Sequence, residues 1–150
     1  QGVSMKMRIL LVDDEKEFVE TLAERLRTRG FHVTEAYSGD EALEIIKEFN
    51  FDVAILDVQM PGMDGIEALG AIKKLKPLTE VLMLTGHGTI ETAIEGMKIG
   101  AFDFLIKPCK MDVLLEKING AYERKSEHEE RIQKAMVDKL STSPMSVFEK

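Results

Sequence analysis

Short apolar runs alternate with longer amphipathic segments over most of this chain. The apolar runs lie at 8–12, 32–36, 53–56, 80–84 and 101–106, and each has the length of a β-strand. The run at 53–56 is wholly apolar, as expected for a strand buried in a parallel sheet. The segments between the runs carry apolar residues at helical spacing. The pattern therefore predicts βαβ units, in which helices connect parallel strands.

Right-handed crossovers leave few topologies for such a chain. We predict an α/β, flavodoxin-like, doubly wound (βα)5 fold with a five-stranded parallel sheet in the order 2-1-3-4-5. We expect the first helix at 16–29, a capping box of Ser38 and Glu41 at the second, and helix ends at Gly30 and Gly100. The predicted core positions of the five helices, in chain order, are Phe18, Leu22 and Leu26; Ala42, Leu43, Ile46 and Phe49; Ile66, Leu69 and Ile72; Ile90, Ala93, Ile94 and Met97; and Val113, Leu114, Ile118 and Tyr122.

The length of 150 residues fits one domain with a tail. We place the globular domain at 6–124, and a helical extension with a linker or tail at 125–150. The stretch after Tyr122 is rich in charge, and apolar residues then return at Ile132, Met136 and Leu140, which indicates a helix with a partner. Residues 141–145 are predicted to form a linker.

The composition narrows the classes of function. A net charge of −7 argues against direct nucleic-acid binding by this segment, which normally needs a basic face. Cys109 is the single cysteine, so an intramolecular disulfide and a cysteine-rich zinc site are excluded. No apolar run approaches a membrane span or a secretory signal, and we expect a cytoplasmic protein with no membrane partner.

Polar residues follow the predicted strands where each strand ends. Asp13 and Asp14 follow the first strand, Asp57 the third, Thr85 the fourth and Lys107 the fifth. Because the carboxyl ends of parallel strands meet at one edge of the sheet, we expect these side chains to converge there. Clustered carboxylates suit Mg²⁺, and a carboxylate beside Mg²⁺ and a lysine is equipped to attack a phosphoryl group and form an acyl phosphate.

The phosphoryl donor is expected to be a small molecule or another protein. No G-x-x-x-x-G-K-[ST] or G-x-G-x-x-G motif is present, so nucleotide hydrolysis is not expected. Each polar residue also has a structural alternative, since an aspartate can cap a helix, Thr85 can form a turn and Lys107 can be a solvated lysine. We favour function because all of them are predicted to fall at the same edge of one sheet.

In combination these motifs resemble the receiver domain of two-component response regulators. The resemblance covers about 6–124, and the run at 84–89 with that at 100–108 is most similar to receivers of nitrogen-regulator-type transcriptional activators. The residues that carry it are Asp13-Asp14, Asp57 followed by Met60-Pro-Gly-Met-Asp-Gly65, Thr85-Gly86 and Lys107-Pro108.

The resemblance implies a role for each site residue. Asp57 would accept a phosphoryl group from a phosphohistidine of a sensor kinase. Asp14 and Asp57 would bind Mg²⁺ directly, together with the backbone carbonyl of Gln59, and Asp13 would act through water. Lys107 would contact the phosphoryl group.

The resemblance also implies a switch. Thr85 would move toward the phosphoryl group and allow the aromatic Phe104 to change rotamer. Gln59 and His87 would tune dephosphorylation, and the Lys107–Pro108 bond would be cis. Phe104 departs from the tyrosine or histidine often found at the switch position, so a permanent core phenylalanine is the alternative.

Two other functions stay open at this point. One is a small Mg²⁺-dependent phosphatase with an aspartyl nucleophile. Such enzymes need an acidic residue two positions after the nucleophile, and this chain has Gln59 there, which counts against the phosphatase. The other is a phosphate-independent interaction module. The leading interpretation is a signalling switch that controls transcription. We do not expect an enzyme that acts on other molecules.

The resemblance implies a sensor histidine kinase or a phosphotransfer protein as the partner. The kinase would dock near the first helix and the loop after the fifth strand, with Phe18 and Cys109 as candidates, although Phe18 also fits the core. A homodimer would form through the fourth helix and fifth strand or through the extended last helix. The sequence leaves open whether this is a stand-alone receiver or one separated from an output domain.

Overall fold

Strands and helices alternate along the computed structural model, which describes residues 6–60, 62–86 and 90–142. The strands are β1 (Arg8–Val12), β2 (His32–Ala36), β3 (Val53–Leu56), β4 (Glu80–Thr85) and β5 (Asp103–Ile106). The helices are α1 (Lys16–Arg27), α2 (Gly39–Glu48), α3 (Gly65–Leu75), α4 (Ile90–Ile99) and α5 (Met111–Thr142).

The five strands form one parallel sheet in the order β2-β1-β3-β4-β5, which confirms the predicted flavodoxin-like topology. Every residue of β3 and β4 is buried, because these strands lie inside the sheet and helices cover both of its faces. The carboxyl ends of β1, β3, β4 and β5 consequently lie side by side at one edge.

The core consists of two apolar layers, one on each face of the sheet. Alternation along β1 sends Leu10 and Val12 into one layer and Ile9 and Leu11 into the other. Residues of α2 and α3 complete the first layer, and residues of α1 and α5 complete the second. The helices therefore hold the sheet from both sides and fix its polar edge.

The capping box lies at α3 and not at α2, where it was predicted. Ser38 does cap α2, since its side chain accepts from the backbone N–H of Glu41. The Glu41 carboxylate, however, accepts from the backbone N–H of Tyr37, one residue before the position that a capping box requires. At α3, Asp64 and Glu67 make both reciprocal bonds of the box.

Both predicted glycine stops are present. Gly30 and Gly100 have φ values of 94° and 129°, which side chains other than glycine rarely adopt. The first helix nevertheless ends at Arg27, two residues before its predicted end. The two intervening residues form a turn, in which the N–H of Arg29 bonds to the carbonyl of Leu26.

Two aromatic residues predicted in the core are exposed. Phe49 is 51% exposed, and Phe51 fills the core instead with 2% of its surface exposed. The physical reason is that α2 ends at Glu48 and Phe49 already has extended backbone, so helical periodicity no longer places it. At α5, Ala121 is buried and Tyr122 lies largely outside the core.

The predicted core stripe of α4 is wrong. Ile90 is 79% exposed, Ile94 and Met97 are also exposed, and Gly96 is the buried residue of this fully described helix. A Cβ at Gly96 would lie 2.3 Å from the methyl carbon of Met83, so the absent side chain allows α4 to approach β4 closely. The apolar face of α4 is turned away from the sheet and contributes little to the core.

The last helix continues past the globular part, as predicted, and reaches Thr142. Ion pairs anchor it where it leaves the sheet: Arg124 binds Glu80 with two contacts of 2.7 Å, and Lys125 lies 3.1 Å from Asp52. Beyond that point Ile132, Met136, Val137 and Leu140 are exposed. The predicted linker therefore begins inside a helix, and its residues 143–145 lie outside the described part.

The division between a domain ending at 124 and an extension stays a prediction. Within the described part of the chain, no helix is both long enough and apolar enough to cross a bilayer.

The assignment of Phe51 and not Phe49 to the core predicts a large loss of stability for one substitution and a small change for the other. Phe51→Ala should lower the free energy of unfolding by about 3–5 kcal/mol, because it opens a cavity in a packed core. Phe49→Ala should change it by about 0.5 kcal/mol or less, as for other exposed positions. Urea denaturation of both variants measures this difference, and equal losses would contradict the assignment.

Candidate functional site

The polar residues at the strand ends line one cleft at the carboxyl edge of the sheet. The cleft has a volume of about 530 Å³. The topology brings Asp57, Thr85 and Lys107 together because β3, β4 and β5 are adjacent in the sheet. The lining residues are Asp14, Glu15, Phe18, Asp57, Gln59, Thr85, Gly86, Lys107 and Pro108.

Three carboxylates meet in this region. Asp13 and Asp57 are buried and Asp14 is exposed, and one carboxylate oxygen from each lies within 4.8 Å of the others. Their local hydrogen bonds hold two of them in place: Asp13 accepts from the N–H of Glu15 at 3.0 Å, and Asp57 accepts from the N–H of Gln59 at 3.2 Å. An all-oxygen set of this size fits a hard divalent cation.

Burial raises the pKa of the Asp13 carboxyl above its ordinary value. The hydrogen bonds from Lys107 and from the backbone of Glu15 act in the opposite direction, and the nearby charge of Asp57 adds to the rise in pKa. Burial thus disfavours the charged form of Asp13, and the hydrogen bond from Lys107 opposes this effect.

The ammonium group of Lys107 places a positive charge beside these carboxylates. Its Nζ lies 2.7 Å from Asp13, 2.8 Å from Glu15 and 3.9 Å from Asp57. Burial acts to lower the pKa of Lys107, but the hydrogen bonds to Asp13 and Glu15 outweigh it and leave the pKa raised. The ammonium also lies 4.3 Å from the centre of the Phe18 ring, in cation–π geometry. Lys107 thus stays charged at neutral pH.

The backbone frame around Asp57 depends on one glycine. A Cβ at Gly65 would lie 2.2 Å from the carbonyl oxygen of Asp57, so only glycine permits this approach. The N–H of Gly65 donates to the carbonyl of Val58 at 2.9 Å and joins the start of α3 to the loop after β3. The N–H of Asp57 donates to Val12 in β1. These contacts fix the carboxylate between two strands and a helix start.

Thr85 and Phe104 have different surroundings: Thr85 lines the cleft, whereas Phe104 packs against an apolar layer. Thr85 is fully buried, lines the cleft, and its carbonyl accepts from the N–H of Lys107 at 2.8 Å. Phe104 is half-buried and packs against the apolar layer shared with α2 and α3. The expected cis bond between Lys107 and Pro108 is present. His87 lies outside the described residues, as does Pro61.

Sequence reasoning missed two residues of the site. Glu15 follows Asp13 and Asp14 in the sequence and was not among the predicted site residues; it makes no side-chain cap bond to α1, and its carboxylate accepts from Lys107 instead. Phe18 was predicted either to lie in the core or to contact the kinase; it is partly buried, packs against the layer formed with α1 and α5, and also lies under the Lys107 ammonium, a contact that was not predicted. The signal for Glu15 was present, since three consecutive acidic residues exceed what one helix start needs.

Comparison with known proteins agrees with this geometry. Residues 9–119 match the family described as the response regulator receiver domain. The transcriptional regulatory protein ZraR of Salmonella typhimurium is 43% identical over 116 residues, which are 77% of this chain and 26% of that protein. The chain therefore spans about a quarter of the length of this curated relative.

Solved structures give the same result. A CheY-like response regulator receiver domain protein from Methanospirillum hungatei is 30% identical, with a TM-score of 0.80 over 83% of this chain and 99% of that one. A response regulator protein from Burkholderia pseudomallei, solved with a phosphorylated aspartic acid, calcium ion and citrate, is 28% identical, with a TM-score of 0.73 over 89% of this chain and 86% of that one. The chain belongs to the response regulator receiver domain family.

Proposed function

We propose that Asp57 accepts a phosphoryl group from a sensor histidine kinase or a phosphotransfer protein, and that this changes the conformation of the domain to control transcription. The position of Asp57 carries the proposal: it is buried at the end of a central strand, beside two other carboxylates and 3.9 Å from the lysine. The Burkholderia pseudomallei relative with a phosphorylated aspartic acid supports a chemistry of this kind.

Among the three carboxylates, Asp57 is the best placed to react. Asp13 uses one oxygen to bind the Glu15 N–H and the other to bind Lys107 at 2.7 Å. Asp14 is exposed, so a phosphoryl group on it would receive the least electrostatic stabilisation from the other residues of the cleft. One oxygen of Asp57 would attack phosphorus as the bond from phosphorus to the donor's histidine nitrogen breaks, and the histidine leaves with that electron pair.

The donor set supports Mg²⁺ as the cation. Asp14 and Asp57 would bind it directly with the carbonyl of Gln59, and Asp13 would bind through water. A divalent cation, when bound, neutralises charge on the carboxylates and on the phosphoryl oxygens. Lys107 would add a second positive charge near Asp57, and Thr85 would donate a hydrogen bond to a phosphoryl oxygen.

The switch would act through β4, β5 and α4. Thr85 lies at the end of β4, and Phe104 lies in β5 and packs against the apolar layer that includes Met83, the residue that Gly96 of α4 approaches. Because α4 is held at Gly96 over Met83, a small movement of β4 would change its position at little cost in buried surface. Gln59 lines the cleft and would tune dephosphorylation, and the same role for His87 stays a prediction.

The exposed apolar residues of α4, β5 and the α5 extension would form contacts with partner proteins. Relatives named as transcriptional regulators are about four times longer than the matched region, which supports an output outside it. A homodimer would use either the face of α4 and β5, where Ile94 and Ile106 are exposed, or the apolar residues of the α5 extension, such as Met136. We place the domain in the cytoplasm, where its kinase would act.

Phosphorylation should occur at one residue and be detectable by mass. Incubation with acetyl phosphate and Mg²⁺ should add about 80 Da to the intact protein. Asp57→Asn should abolish the addition, whereas Asp40→Asn, which removes an exposed carboxylate on α2, should not. Rapid release of phosphate with no adduct would favour the phosphatase, and no reaction at all would favour the phosphate-independent module.

The Mg²⁺ site should depend on the exposed member of the carboxylate group. Asp14→Asn should weaken Mg²⁺ binding at least about tenfold, the loss that even outer-shell partners of metal sites show. A Mg²⁺ titration followed by the amide signals of the loop after β3 measures this. The control is Asp40→Asn, and equal affinities in the two variants would contradict the assignment.

The conformational change should extend well beyond Asp57. Beryllofluoride with Mg²⁺, which imitates the phosphoryl group, should shift amide signals across residues 85–107 relative to Mg²⁺ alone. Shifts confined to the loop after β3 would contradict the switch, while leaving phosphorylation itself intact.

A further inference from the structure

Glu15 occupies the position of a helix cap but does not act as one. It precedes the first residue of α1, and its side chain makes no capping hydrogen bond. Its Oε1 instead lies 2.8 Å from the Nζ of Lys107, although 65% of the Glu15 side chain is exposed. A carboxylate at a helix start normally gains from the backbone N–H groups there. Helix capping therefore does not account for the position of the Glu15 carboxylate beside the lysine.

The Lys107 ammonium is drawn toward the loop between β1 and α1. Two of its three N–H groups can be assigned to Asp13 and Glu15, at 2.7 and 2.8 Å. The Phe18 ring, 4.3 Å from Nζ to the ring centre, occupies a further side of the same group. The Asp57 oxygen is more distant, at 3.9 Å. Lys107 is thus held mainly by groups other than the proposed acceptor.

A phosphoryl group on Asp57 would change this balance. Its oxygens would offer Lys107 charge-assisted hydrogen bonds, which an ammonium with three N–H groups can form only by releasing other partners. Asp13 is buried, and loss of its partner would leave an uncompensated charge inside the protein. Glu15 is exposed, and water can replace the lysine at little cost. When Lys107 binds the phosphoryl group, the contact that breaks is therefore the one with Glu15.

We propose that Glu15 is a positioning residue that competes with the phosphoryl group for Lys107. This proposal rests on the proposed function of Asp57. The Glu15–Lys107 contact exists in the unphosphorylated form and is lost in the phosphorylated one, so it favours the unphosphorylated form. Glu15 slows the gain of the phosphoryl group and hastens its loss, and it acts through the lysine without contacting the reacting atoms.

The test compares Glu15→Gln with Glu17→Gln in the full chain. Both variants remove one exposed negative charge near the start of α1, and Glu17 has no ion pair with Lys107. Glu15→Gln should bind beryllofluoride with Mg²⁺ about two- to fivefold more tightly, the range expected for an exposed ion pair. It should also be phosphorylated faster by acetyl phosphate and lose the group more slowly, by similar factors. Glu17→Gln should match the natural sequence in all three.

Slower loss of the phosphoryl group separates competition for Lys107 from simple charge repulsion. Removal of a negative charge near the cleft would speed the entry of an anionic donor, but it would not slow the attack of neutral water. Glu15→Asp supplies a second check, because it keeps the charge and shortens the reach to the lysine. It should behave as Glu15→Gln does.

Three outcomes would overturn the proposal. Identical behaviour of Glu15→Gln and Glu17→Gln would show that the contact has no effect on the reaction. Faster gain without slower loss would show that only the charge matters, as would a Glu15→Asp variant equal to the natural sequence. Failure of the natural sequence to bind beryllofluoride or to form an adduct would instead refute the function proposed for Asp57.

Discussion

The balance of charge around Lys107 is the constraint on which the polar edge of this domain depends. One ammonium lies among the carboxylates of Asp13, Glu15 and Asp57, of which two are buried. Removing such charges from water costs several kcal/mol each unless opposite charge and hydrogen bonds replace the solvent. The parallel sheet imposes this cost, because its strand order puts the ends of β1, β3 and β5 near one another. The same crowding makes the site receptive to a cation and to a group that Lys107 can bind.

Ion pairs at the amino ends of the strands, opposite the polar edge, hold α5 against the sheet. There Glu80 is buried, bound twice by Arg124 at 2.7 Å, with Lys73 at 3.8 Å. Arg124 also stacks on Phe102, and Lys125 pairs with Asp52 at the start of β3. These contacts bind α5 to the sheet before the extension begins. The helix α4 has only Gly96 buried. A signal from Asp57 would therefore move α4 more easily than the base of α5.

The sequence was sufficient to predict the sheet and the members of the polar edge. Apolar runs define strands, and the parallel topology brings Asp57 and Lys107 together without any knowledge of side-chain contacts. It was insufficient where a residue's environment depends on distant parts of the chain. The periodicity of α4 indicates an apolar face at Ile90 and Ile94, but it cannot show that the face is turned outward because Gly96 fits over Met83. Glu15 likewise finds its partner 92 residues away, beyond any local pattern.

The proposed chemistry requires that Asp57 carry the phosphoryl group as an acyl phosphate. Reduction of the phosphorylated protein with borohydride converts such a residue to homoserine, which peptide sequencing by mass spectrometry can locate. Homoserine is expected at position 57, only after phosphorylation and only when Mg²⁺ is present. Homoserine at position 13 or 14, or a phosphorylated protein that yields none, would refute the assignment of the acyl phosphate to Asp57.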